Sequence, residues 1–104
     1  MARSIQKVQA GSRIFFRIEI RDLSDDTRPL YSPSPVPDIE LRMPNGVVDV
    51  NWQAMTAPAS TTGIFTYTHQ TETTDPRGVW RVRFRSVDGS DIDYSIPQDA
   101  FELV

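Results

Sequence analysis

Hydrophobic and polar residues alternate along most of this chain, and the alternation predicts strands rather than helices. Between residues 13 and 21, Ile14, Phe16, Ile18 and Ile20 fall on one side, and Arg13, Phe15, Arg17, Glu19 and Arg21 on the other. Successive side chains of a strand point to opposite faces, so this segment reads as a half-buried strand with a polar outer face. Residues 38–43 repeat the pattern, with Ile39, Leu41 and Met43 inward and Asp38, Glu40 and Arg42 outward. Pro44-Asn45-Gly46 predicts a tight reversal, because Asn and Gly tolerate positive φ. Val48, Val50 and Trp52 are then the inward set of the return strand.

Gly63 opens the next strand, with Phe65 and Tyr67 inward beside Thr66 and Thr68. After a turn at residues 75–78, Trp80, Val82 and Phe84 alternate inward with Arg81, Arg83 and Arg85 outward. Asp88-Gly89 turns the chain again. Ile92, Tyr94 and Ile96 form a last inward set, broken by Pro97, with Phe101 and Leu103 extending it after a bulge. A short edge strand is expected near residues 4–8. About seven short strands separated by turn signals predict an antiparallel β-sandwich, one domain over residues 1–104. Two segments are long and irregular: residues 23–37, with prolines at 29, 33, 35 and 37, and residues 53–62, which are small and polar. The prolines favour extended, stiff geometry, so the first loop loses little entropy on binding.

These residues carry a resemblance. Gly11 precedes a long alternating strand that ends at Asp22, a Pro-Asn-Gly hairpin follows, and Gly63-Ile64-Phe65-Thr66-Tyr67 and Pro76-Arg77-Gly78-Val79-Trp80 mark later strands. The pattern resembles the immunoglobulin-like modules of bacteriophage virion proteins and bacterial surface proteins. It lacks the cysteine pair of antibody domains, and its loop after Asp22 is longer and richer in proline. The resemblance implies the fold and a place in a virion or on a cell surface.

Composition narrows the chemistry. The 104 residues include no cysteine, which removes disulfides, thiol catalysis and cysteine metal sites. Ten aromatic residues supply bulk to a thin core in a chain only 38% hydrophobic. A net charge of −3 argues against non-specific nucleic-acid binding, which needs a positive excess. Lys7 is the only lysine beside ten arginines. Arginine suits interfaces, and an arginine-rich codon usage gives the same count. No apolar stretch follows Met1-Ala2-Arg3-Ser4, and none approaches the roughly 20 residues of a membrane span. The expectation is a whole small gene product made in the host cytoplasm without a signal peptide.

Candidate sites are few. His69 is the only histidine, and no Gly-x-Ser-x-Gly elbow occurs. Nucleophilic catalysis needs a nucleophile, a base and an orienting group together, so the expectation is no enzyme, no catalytic residue and no cofactor. The acidic residues read as solubilising and turn-forming rather than as a glycosidase pair. A minor alternative gathers Asp22, Asp25, Asp26, Asp88 and Asp91 at one end as a cation site, although aspartate is an ordinary turn residue. The arginine stripe 81, 83, 85 could meet an anion, but Glu40, Asp91 and Asp93 are expected to flank and neutralise it, each opposite pair contributing roughly 0.2–1 kcal/mol.

Partner contacts are assigned to Arg28, Leu30 and Tyr31 on the proline loop and to Phe15, which points against its strand's apolar face. The segment at residues 2–8 is the expected edge for backbone pairing with another chain. Together these predict a non-enzymatic virion component, capsid decoration or cement or a head–tail or tail accessory subunit, present in multiple copies and binding other protein subunits, with no contact to nucleic acid or membrane. The alternative is a carbohydrate-binding or cell-surface-binding module of a larger bacterial secreted protein. That reading needs an exposed aromatic platform, which the inward assignment of Trp52 and Trp80 denies it.

Overall fold

The computed structural model describes residues 6–22, 26–33, 35–88, 91–95 and 97–104, with Asp88 and Asp91 described by backbone alone. It is all-β, with eight strands: β1 (Lys7–Val8), β2 (Arg13–Glu19), β3 (Asp38–Arg42), β4 (Val48–Ala54), β5 (Ile64–Gln70), β6 (Gly78–Asp88), β7 (Asp91–Tyr94) and β8 (Gln98–Leu103). One sheet runs β1-β8-β6-β3-β4, with β7 also paired to β6; the other is β2-β5. No helix among the described residues is long and apolar enough to cross a membrane.

The inward sets of four strands lie where alternation puts them. Ile14, Ile39, Leu41, Phe65, Trp80 and Val82 are buried, and Phe16, Ile18, Tyr67 and Phe84 pack against them half-buried. The core has two lobes. Val8, Ile14, Trp80, Phe101 and Leu103 form one, and Ile39, Leu41, Met55, Phe65 and Val82 the other, with Phe16 packed against both. Trp80 is fully enclosed, its ring stacked on Phe101 at 5.4 Å between centroids. Its indole N–H donates to the Pro76 carbonyl at 3.1 Å, so the turn before the strand satisfies the one polar atom that the ring buries.

The sheet is mixed rather than purely antiparallel. β1 runs parallel to β8, pairing Lys7 with Glu102 and Val8 with Leu103. Glu102 N–H donates to Gln6 C=O, Val104 N–H to Val8 C=O and Ala10 N–H to Val104 C=O. Val8 is buried in the core. Residues 7 and 8 are therefore the edge strand of the larger sheet, anchored to β8 through Val8, while residues 2–5 of the expected edge segment lie outside the described residues.

Two more expectations on side-chain direction fail. Regular pairing would put Trp52 opposite Ile39, but Leu41 faces Val50 while Ile39 faces Gln53. One extra residue is thus accommodated in β4 between Val50 and Gln53, and Trp52 sits in this bulge at φ 44°; a second register shift follows between Val48 and Val50. The bulge turns Trp52 to the outer face. In β7, Asp88 pairs with Asp91, so Val87 faces Ile92 and Arg85 faces Tyr94. Tyr94 therefore shares the outward face of Arg85, and Ile92 and Tyr94 are 53% and 55% exposed.

Gly63 fixes where the proline loop crosses the sandwich end. At φ 71°, a Cβ here would lie 2.7 Å from both Ile20 O and Tyr31 N. Its carbonyl accepts Ile20 N–H, and its own N–H donates to Ser32 Oγ. Trp80→Ala is expected to cost about 3–5 kcal/mol, and Gly63→Ala at least about 2 kcal/mol, through positive φ and backbone clash. Urea unfolding measures both. Parent-like midpoints would contradict the burial of Trp80 and the crossing at Gly63.

Candidate functional site

The outer face of the larger sheet carries a lattice of charge and aromatic rings. Alternation sends Asp38 and Glu40 of β3 and Arg81, Arg83 and Arg85 of β6 to this face, and the register pairs Asp38 with Arg85, Glu40 with Arg83 and Arg42 with Arg81. Asp38 Oδ2 accepts from Arg85 Nη2 at 2.6 Å and Nε at 3.1 Å. This pair holds the Arg85 pKa above its ordinary value, first through the Asp38 hydrogen bond. Glu40, only 5% exposed at its side chain, accepts from Arg42 Nε at 3.0 Å. Arg81 Nε lies 3.5 Å from Asp99 on β8.

Trp52 and Tyr94 lie across this lattice, their ring centroids 5.6 Å apart. The Arg83 guanidinium sits 4.9 Å from the Trp52 ring centre and 5.2 Å from that of Tyr94, and Arg85 sits 4.6 Å from Trp52. Cations over aromatic rings are attracted by the ring quadrupole, typically by about 0.5–1 kcal/mol at exposed sites. The result is a patch in which two guanidinium groups cluster against two neighbouring rings. The expected neutralisation of the stripe is thus rearranged: Glu40 flanks it, Asp38 and Asp99 do the rest, and Asp93 pairs with Ser86 on the opposite face. The side chain of Asp91 lies outside the described residues.

Sequence reasoning missed both rings for different reasons. Nothing in residues 50–53 announces a bulge. For Tyr94 the signal was present: counting back from the Asp88-Gly89 turn puts Tyr94 opposite Arg85.

The sequence-derived contact residues are scattered. Phe15 is 65% exposed on the outer face of the small sheet, opposite Thr68. Arg28 is exposed at φ 48°, its carbonyl accepting from Arg21 Nη1. Leu30 is half-buried and bridges to Arg21. Tyr31, 38% exposed, donates its backbone N–H to Ile20 C=O and lines a groove of about 540 Å³ with Ile18, Ile20 and Phe84. The described part of the proline loop is thus tied to the sandwich end by hydrogen bonds, with Pro33 and Pro37 buried. The structure brings Arg28, Leu30 and Tyr31 to one end and leaves Phe15 on a separate face.

His69 points between the sheets. Its ring is 6.0 Å from Trp80, and Nε2 lies 3.2 Å from Asp49 Oδ2 without hydrogen-bond alignment. Burial, with Asp49 second, raises the pKa of the neighbouring Tyr67. Among the described residues no group of three or more His, Asp or Glu side chains could hold a metal ion. Of the expected cation set, Asp25 and the side chains of Asp88 and Asp91 lie outside those residues, Asp26 is exposed and Asp22 has a partner. Chelator is expected to leave the melting temperature unchanged, since a metal bound only to the native state would raise it; a fall would revive the cation site. Trp52→Ala is expected to cost about 1 kcal/mol, because it removes a half-exposed ring from the outer face and leaves the core lobes intact. A loss as large as that of Trp80→Ala would place Trp52 in the core. No family model, curated protein or solved structure matches the chain.

Proposed function

We propose that this chain is a non-enzymatic interaction module, an immunoglobulin-like subunit of a bacteriophage virion that binds other protein subunits through the outer face of its larger sheet. The observation that carries the contact is the patch of Trp52, Tyr94, Arg83 and Arg85. Trp, Tyr and Arg are the residues enriched at binding hot spots, and here they are locked in place before any partner arrives. The strand order, with β2-β5 facing β1-β8-β6-β3-β4, supports the immunoglobulin-like reading. The placement in a virion, in multiple copies as decoration, cement or a head–tail or tail accessory, rests on the resemblance of the Pro76-x-Gly78-x-Trp80 and Gly63-x-Phe65-x-Tyr67 segments. His69, enclosed beside Trp80, offers no accessible base to a substrate.

The same patch favours a second reading, a carbohydrate-binding module at a bacterial surface, because Trp52 and Tyr94 supply the aromatic platform it requires. Sugars stack on ring faces, however, and two guanidinium groups already lie within 5 Å of the Trp52 centre. Protein contact is the better fit.

Trp52→Ala combined with Tyr94→Ala is expected to leave the fold intact and to abolish incorporation into particles assembled with the wild-type chain as competitor. Undiminished incorporation would remove this face from the contact. Specific glycan-array binding that the same substitutions abolish would favour the carbohydrate reading.

A further inference from the structure

Beside the aromatic pair, the same outer face holds a depression of about 250 Å³ lined by Glu40, Arg42, Arg81, Val82, Arg83 and Pro97. Three arginines surround it, and they are not equally engaged. Arg42 is hydrogen-bonded to Glu40 Oε1 and to Gly46 C=O. Arg81 leans on Asp99. The Arg83 guanidinium makes no hydrogen bond among the described residues: its Nε is buried without a partner, and the nearest carboxylate oxygen, on Glu40, is 3.9 Å away and bonded to Arg42. With Arg85 taken by Asp38, four guanidinium groups here meet three carboxylates, and Arg83 is the one left over. A guanidinium whose donors are unused and which lies against both the Trp52 and Tyr94 rings is held in place for a planar carboxylate acceptor.

We infer that this depression binds a carboxylate side chain from an acidic segment of a partner protein, seated on Arg83 and Arg81 with Trp52 and Tyr94 packing against its neighbours. The inference rests on the reading of this face as a protein contact and adds its chemistry. A singly charged anion fits better than a dianionic phosphate, because the buried Glu40 carboxylate lies directly beside Arg83 and repels the second charge.

The test is a titration of the full chain with an acetylated hexaglutamate peptide, followed by the Nε–Hε signals of its arginines in NMR spectra, with acetate and inorganic phosphate at matched ionic strength. The expected result is a saturable shift of the Arg83 signal with peptide, a weaker shift in the same direction with acetate, and a smaller response to phosphate. Arg83→Gln is expected to weaken peptide binding about tenfold, the worth of one charged hydrogen-bonded contact. Arg17→Gln removes the same charge from the opposite sheet and should change it less than about twofold, since screening confines charge effects to about 10 Å. Arg81→Gln, which leaves the aromatic stack intact, should weaken it about threefold and guards against misfolding of the Arg83 variant. Equal losses in Arg83→Gln and Arg17→Gln, no shift at Arg83, or tighter response to phosphate than to peptide would overturn the inference. So would signal broadening that grows with protein concentration alone, which assigns the face to a second copy. If the peptide fails while Trp52→Ala with Tyr94→Ala still blocks incorporation, the acidic chemistry falls and the contact face stands.

Discussion

The Trp80 indole touches both sheets: it stacks on Phe101 of β8 and lies against His69 of β5. With no cysteine, and so no disulfide, to hold the layers, this contact and the second core lobe beside it keep a two-stranded sheet on a larger one. A buried indole brings large apolar area and one polar atom that must be satisfied. The Pro76 carbonyl satisfies it. Gly78, between the two, runs at φ 126° with Pro44 packed where its Cβ would be, so the turn and the ring are fitted to each other and to the hairpin alongside. That gives the Pro76-x-Gly78-x-Trp80 segment a physical meaning independent of ancestry.

Burying Trp80 and Val82 obliges the intervening positions of β6 to face outward, and three of these are arginines. An arginine row alone would repel itself. β3 lies beside it in register and supplies Asp38 and Glu40, and β8 supplies Asp99, so most of the charge is absorbed locally. The guanidinium left without a hydrogen bond, that of Arg83, lies against two neighbouring rings that the core did not need. Site and core are thus two sides of the same strand, and the spacing that fills one sets out the other.

The sequence was legible wherever strands pair regularly. The inward faces of β2, β3, β5 and β6 follow simple alternation, as do Phe101 and Leu103, and the Asn45-Gly46 turn closes as its residues dictate, with Val47 N–H donating to Asn45 Oδ1. Alternation fails where register breaks. The bulge at Trp52 depends on how β4 meets β3, a long-range fit that leaves no local mark, and Tyr94 follows the pairing across Asp88 and Asp91 rather than its own neighbours. The candidate site consists of these exceptions, which is why alternation alone, assigning Trp52 inward, hid the platform. The parallel pairing of β1 was equally hidden, because two residues carry no period.

That parallel pair has a mechanical consequence. β1 and β8 run in the same direction, side by side, so a pull transmitted outward through residue 6 and residue 104 acts along the two strands in opposite senses. The hydrogen bonds joining Gln6 to Glu102, Val8 to Val104 and Val104 to Ala10 are then loaded in shear, all at once. An antiparallel terminal hairpin under the same pull would open like a zipper, one bond at a time, at far lower force. The arrangement suits a small domain without cross-links that must hold its shape while tension passes through it from end to end.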